Sequence, residues 1–157
     1  MKQIRRASTP LGIALGAAFL AGSVTLPAFA ALGGDAASVD ADIAKMKGQA
    51  RVAPGGGYTV SEITLSSGTV VREYVSAEGK VFAVSWSGMT VPNLRQTLGS
   101  YFERYKAAGA IPHGDHHHLV IQEPDLVVST GGHMRAWRGI AYLPALLPPN
   151  FSTEDIK

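Results

Sequence analysis

The chain contains no cysteine. That excludes disulfides and a cysteine nucleophile, and it excludes a lipid-modified N-terminal cysteine. The short patterns that carry familiar chemistries are missing too. There is no G-x-S-x-G elbow for a serine hydrolase, and Ser85-Trp86-Ser87-Gly88 only approximates one. There is no H-E-x-x-H pair for a catalytic metal. Pro54-Gly55-Gly56-Gly57 lacks the Lys-Ser/Thr of a phosphate-binding loop, and it precedes a strand pattern rather than a helix, so it is read as a plain loop.

One long apolar run is present, at the N-terminus. Lys2, Arg5 and Arg6 precede Leu11–Leu26, a run of sixteen residues. Pro27 breaks it, and Ala28-Phe29-Ala30 supplies the small-x-small pattern of a signal peptidase site. The run is shorter than the ~20 residues of a membrane span. Residues 1–30 are therefore expected to be a cleavable signal peptide, cut after Ala30, rather than an anchor. Arg5-Arg6 hints at twin-arginine export, but Ala7-Ser8-Thr9 lacks the apolar continuation, which favours the general secretory route. The expected address is the periplasm or the exterior, with no membrane attachment after cleavage. Cleavage also changes the charge. The full chain has 14 basic and 12 acidic residues, and losing Lys2, Arg5 and Arg6 leaves 11 against 12. The basic balance belongs to the signal, so no nucleic-acid partner is expected.

The remainder, 31–157, is expected to be a single domain resting on its hydrophobic core. Its centre runs from Tyr58 to Gly109. Tyr58–Leu65, Thr69–Ser76 and Val81–Ser87 read as strands rich in Val, Ile, Thr and aromatic residues, joined by Ser66-Ser67-Gly68 and Ala77-Glu78-Gly79 turns. The period of two places Phe82, Val84 and Trp86 on one face. In the first strand, Tyr58 and Val60 fall on one face and Ile63 on the other. Either both faces are covered or a bulge near Ser61-Glu62 resets the phase, and the bulge is favoured here. One amphipathic helix over 93–108 follows. Asn93, with Gln96 three residues on, or Thr90 can cap it, and Leu94, Leu98, Phe102 and Tyr105 form its apolar stripe. Gly109 is read as a left-handed stop.

Before this unit, Ser38–Met46 reads as a short helix with Val39, Ile43 and Met46 on one side, capped by Ser38 or Asp40. Residues 51–57 read as a loop. After it, Leu119–Gln122 and Leu126–Thr130 are strands, Gly131-Gly132 is a turn and Met134–Tyr142 is a last strand. Leu143–Lys157, with Pro144, Pro148 and Pro149, is an irregular tail. The fold class is thus α+β: an antiparallel sheet of five to six strands with one amphipathic helix packed on a face.

Several blocks in this order look familiar. They are Ala31-Leu32-Gly33-Gly34-Asp35, Val71-Arg72-Glu73-Tyr74-Val75, Val81-Phe82-Ala83-Val84-Ser85-Trp86, Asn93-Leu94-Arg95-Gln96 and Gly131-Gly132-His133-Met134-Arg135-Ala136. Together they resemble the proteobacterial domain-of-unknown-function family 2844, over nearly the whole of 31–157. The resemblance implies an exported protein of Gram-negative bacteria with no assigned activity, and it carries over no catalytic residues.

The histidines are the sharpest chemical feature. All five lie at His113, His116, His117, His118 and His133. Imidazole binds zinc, copper and nickel. His116 and His118 would share a face if they enter a strand, and His113, Asp115 or His133 would complete a site. The competing reading is a solvated polar loop. Glu62 and Glu73, as cross-strand neighbours, are the carboxylate pair to consider for catalysis, although exposed strand positions explain them as well. Arg135, Trp137 and Arg138 would form a stacking and phosphate-binding patch, unless Trp137 belongs to the core. The apolar segment Tyr142–Pro149 either covers one end of the core or offers a strip to a protein partner. These observations point to a non-enzymatic periplasmic binding or interaction module with no resident cofactor. The alternative is a zinc- or copper-binding protein using His113, His116, His118 and His133.

Overall fold

The computed structural model describes residues 32–111 and 118–157. The expected signal, 1–30, and His113, Asp115, His116 and His117 lie outside the described residues.

Seven antiparallel strands form one sheet in the order β1-β2-β3-β4-β7-β6-β5. They are β1 Gln49–Pro54, β2 Tyr58–Thr64, β3 Val70–Ser76, β4 Val81–Gly88, β5 His118–Gln122, β6 Val127–His133 and β7 Ala136–Tyr142. The count exceeds the expected five to six because 49–54, read as part loop, pairs along β2 from Gln49↔Thr64 to Pro54↔Thr59. All six residues of this edge strand are exposed, so no inward alternation betrays it. A second correction concerns Gly131-Gly132. They lie inside β6, opposite Arg138 and Trp137, and the turn is Met134-Arg135.

Helices cover one face. α1 spans Ala36–Met46, so it starts before both expected cap positions, 38 and 40, and its N-cap residue Asp35 makes no side-chain capping bond. The expected helix over 93–108 is broken. α2 covers Leu94–Leu98, a 3-10 turn covers Gly99–Tyr101, and α3 covers Phe102–Gly109. The break falls at Gly99, whose φ of 54° and ψ of −122° suit only glycine. Asn93 caps α2 by accepting from the Gln96 amide at 3.3 Å. Gly109 is not a left-handed stop, since α3 runs through it to Ala110. The stripe does its expected work nonetheless: Leu98 is fully buried, and Leu94, Phe102 and Tyr105 pack on the same core. Each such burial contributes roughly 1.5–3 kcal/mol when complete.

The tail covers the opposite face. Leu147, Phe151 and Ile156 pack over Tyr58, Val60, Tyr74, Phe82 and Tyr142. This is the core-cover reading of the tail. Leu143 is buried and Leu147 half-buried, while Leu146 between them is exposed.

Two covered faces resolve the phase conflict in β2. Its pairing with β3 is unbroken from Tyr58↔Ser76 to Thr64↔Val70, so the favoured bulge near Ser61-Glu62 is absent. Tyr58 and Val60 serve the tail face, and Ile63 serves the helix face. The bulge sits instead in β4, where Tyr74↔Ala83 is followed by Val75↔Val81. Phe82 is the extra residue. It joins Tyr74 under the tail while Val84 and Trp86 remain under the helices, so these three do not share a face.

Candidate functional site

The tail covers only part of its face. On the far half, the register aligns Ser87 of β4, Arg138 of β7, Gly131 of β6 and His118 of β5 in one row across the sheet. Residues in register point to the same side. Arg138, His118 and Val120 are exposed there, Val120 at 64%. The row is open because its third position is glycine. A Cβ on Gly131 would stand 2.4 Å from the His118 ring, so the small residue seats the imidazole.

Two shallow clefts share this row. One, of about 430 Å³, runs from Ser87, His118 and Arg138 to the end of the tail at Ile156. The other, of about 860 Å³, runs from the same three residues past the β6–β7 turn to His133, Arg135, Trp137 and Met89. An Arg135 guanidinium nitrogen lies 3.8 Å from the Met89 sulfur. Among the described residues neither lining includes an Asp or Glu side chain, while Arg135, Arg138, His118 and His133 all contribute. Trp137 alternates with Arg138 along β7 and pairs with Gly88 and Gly132, so its side chain points to the helix face, where it is half-buried and lines a cleft with Leu94 and Tyr105. Guanidinium forks and imidazoles can hydrogen-bond an anion, and a guanidinium plane can stack on a ring.

The expected metal residues divide. His118 and His133 border the same cleft, and His133 lies two residues beyond Gly131 on the neighbouring strand, hence on the same face. His113 and His116 lie outside the described residues. Among the described residues, no group of three His, Asp or Glu is placed to hold a metal ion.

The carboxylates separate as well. Glu62 faces Arg72 across the strands, with a 2.8 Å ion pair, whereas Glu73 lies opposite Ser61 on the other face. The Glu62–Glu73 pairing is therefore wrong by one residue of register. Glu73 instead lies near enough to Asp42 of α1 to feel its charge. Both are fully buried under the helices. Gln96 Nε2 donates to Asp42 Oδ1 at 2.9 Å. Among the described residues, Asp42 Oδ2, both Glu73 carboxyl oxygens and Ser61 Oγ find no hydrogen-bond partner. Burial, and secondarily the Asp42 charge, pushes the Glu73 carboxyl up to about 8. Burial raises Asp42 too, against the Gln96 hydrogen bond and the Lys45 charge. Gln96 separates this pair from a cleft of about 760 Å³ whose walls include Lys45, Arg95 and Tyr101.

The pair escaped sequence reasoning, yet it left a signal. Glu73 takes the inward phase between Val71 and Val75. Asp42 lies within the Val39, Ile43, Met46 stripe, three residues from Val39 and four from Met46. A carboxylate on the core side of two elements at once marks a buried acidic pair.

A sequence model of one protein family, described as "Protein of unknown function (DUF2844)", matches residues 28–156. No curated protein and no solved structure matches the chain.

Proposed function

Because this chain belongs to the DUF2844 family of proteins of unknown function, we propose a role from its own geometry: a non-enzymatic periplasmic module that binds an anionic ligand on the uncovered half of its sheet. The observation that carries this reading is the row Ser87–Arg138–Gly131–His118, which joins two clefts that contain, among the described residues, two arginines, two histidines and no Asp or Glu side chain. A phosphorylated or carboxylated group would take the Arg138 fork and the His118 imidazole. The periplasmic address rests on the basic start, the Leu11–Leu26 run and Ala28-Phe29-Ala30. No helix among the described residues is long and apolar enough to cross a membrane.

Amide chemical-shift mapping tests the location. Tripolyphosphate and trigalacturonate serve as phosphate and carboxylate probes. The reading expects saturable shifts centred on Ser87, His118, Gly131 and Arg138 with at least one of them. Shifts confined to the cleft above Gln96, or none that saturate, would contradict it.

A second reading is favoured by one observation, the presence of His118 and His133 in the same cleft. Zinc or copper would need further ligands, for which His113 and His116 are the candidates in the sequence. Calorimetric titration of the protein and of His116→Ala/His118→Ala decides it. Stoichiometric binding lost in the variant supports a metal role, and weak binding unchanged by the substitutions removes it.

A further inference from the structure

The Asp42–Glu73 pair takes no part in the anionic site and lies beneath the other face of the sheet. We propose that α1 is a proton-linked latch, docked while the Asp42–Glu73 pair carries a proton and lifted when both carboxyls are charged.

The geometry leaves the pair few ways to carry two charges. Among the described residues, only Asp42 Oδ1 of its four carboxyl oxygens is hydrogen-bonded, to Gln96. Every element packed around the pair can be inspected for relief. β2 presents Ser61 and Ile63, and β3 presents Val71 and Val75 beside Glu73. β4 places Val84 opposite Glu73, with Trp86 next on that face. α2 presents Gln96, Thr97 and Leu98. Among the described residues the cation acting on the pair comes from α1 itself, Lys45, which favours the charged form of Asp42. Glu73 feels only its burial and the like charge of Asp42. A second ionisation therefore places two uncompensated negative charges in a dry core, and the structure relieves it most cheaply by readmitting water.

α1 is the element placed to yield. Asp42 belongs to it, whereas Glu73 stands on a strand paired on both sides. The chain is held at both ends of α1 by contacts that do not depend on its apolar side. Ahead of it, the Gly33 amide donates to the Val81 carbonyl, the Ala36 amide donates to the Gly79 carbonyl, and Asp35 forms an ion pair with Lys80. Beyond it, Lys47 takes a left-handed conformation, with φ 50°, and β1 begins two residues later. The helix can thus leave the sheet between two fixed points. Lifting it exposes Asp42 and Glu73 together and removes Lys45 from the wall of the neighbouring cleft.

Hydrogen exchange by mass spectrometry from pH 6 to pH 9, corrected for the intrinsic exchange rate, tests the latch on the intact protein. The α1 peptide should lose at least ten-fold in protection across that range, while peptides from β3, β4 and β7 keep theirs. Glu73→Gln and, independently, Asp42→Asn should each hold α1 protection level with pH. Constant α1 protection in the unmodified protein would overturn the latch. So would a loss shared equally by the sheet, or a loss that persists in whichever of the two variants folds.

Discussion

Trp86 of β4 lies across Gly139 of β7, so closely that a methyl group on Gly139 would stand 2.2 Å from the indole. The two residues face each other in the register, and Trp86 is 2% exposed. Neither strand can shift away, because β7 is also held by β6 and β4 by β3. Gly139→Ala should therefore destabilise the fold by about 1–3 kcal/mol. A lower urea midpoint, with an altered Trp86 emission spectrum in the folded state, is the expected outcome.

The tail's contribution to stability can be read at Phe151. Its ring lies 4.8 Å from Phe82 and 5.1 Å from Tyr58, both edge to face. Edge-to-face pairs add about 0.5–1.5 kcal/mol beyond their buried area. Phe151 is half-buried, so Phe151→Ala should cost about 2–3 kcal/mol, below the 3–5 typical of a fully enclosed Phe. Chemical denaturation measures this directly, and the variant should still fold.

Leu98 is the most sensitive point on the helix face. It is fully buried at the break between α2 and the 3-10 turn. Leu98→Ala should cost about 2–5 kcal/mol. Leu98→Asp, which places a charge in the core, should prevent folding, seen as the loss of sheet signal in circular dichroism.

Stability should fall as pH rises through the neutral range. The Glu73 carboxyl titrates near 8 in the folded chain against an ordinary 4.5. Between these values the folded state holds a proton that the unfolded state has lost. Its contribution is complete below about 4.5 and disappears by about 8. Asp42, also raised, acts in the same sense. Glu73→Gln should therefore flatten the profile and stabilise the protein at pH 8.5 by roughly 2 kcal/mol or more. Thermal melts from pH 4 to pH 9 on both proteins provide the check.

Much of this arrangement was legible in the residues, and the failures have physical causes. The runs rich in Val, Ile, Thr and aromatic residues between glycine turns marked β2, β3 and β4. β1 was not so marked, because an exposed edge strand ending in Pro54 carries no inward pattern. Phe82 was assigned to the wrong face because a bulge shifts the phase without any local residue requiring it. Gly131-Gly132 resembles a turn, yet it provides the room that the His118 ring occupies between paired strands. The stripe from Leu94 to Tyr105 was correct even though Gly99 divides the helix beneath it. In the site, Arg135 and Arg138 were readable as a basic pair. Their junction with His118 and Ser87 was not, because it depends on β7 pairing with both β4 and β6. Asp42 and Glu73 lie on separate elements, and only docking of α1 brings them together.

The measurement closest to the central proposal is a calorimetric titration of tripolyphosphate and trigalacturonate into the protein and into Arg138→Gln, which keeps the side chain polar and removes its charge. Arg138 is exposed and makes no core contact, so the variant should fold normally. The proposal predicts saturable binding of at least one probe, weakened ten-fold or more by the substitution, with an affinity that falls as salt rises. Equal affinity in both proteins, or no saturable binding to the unmodified one, would contradict it.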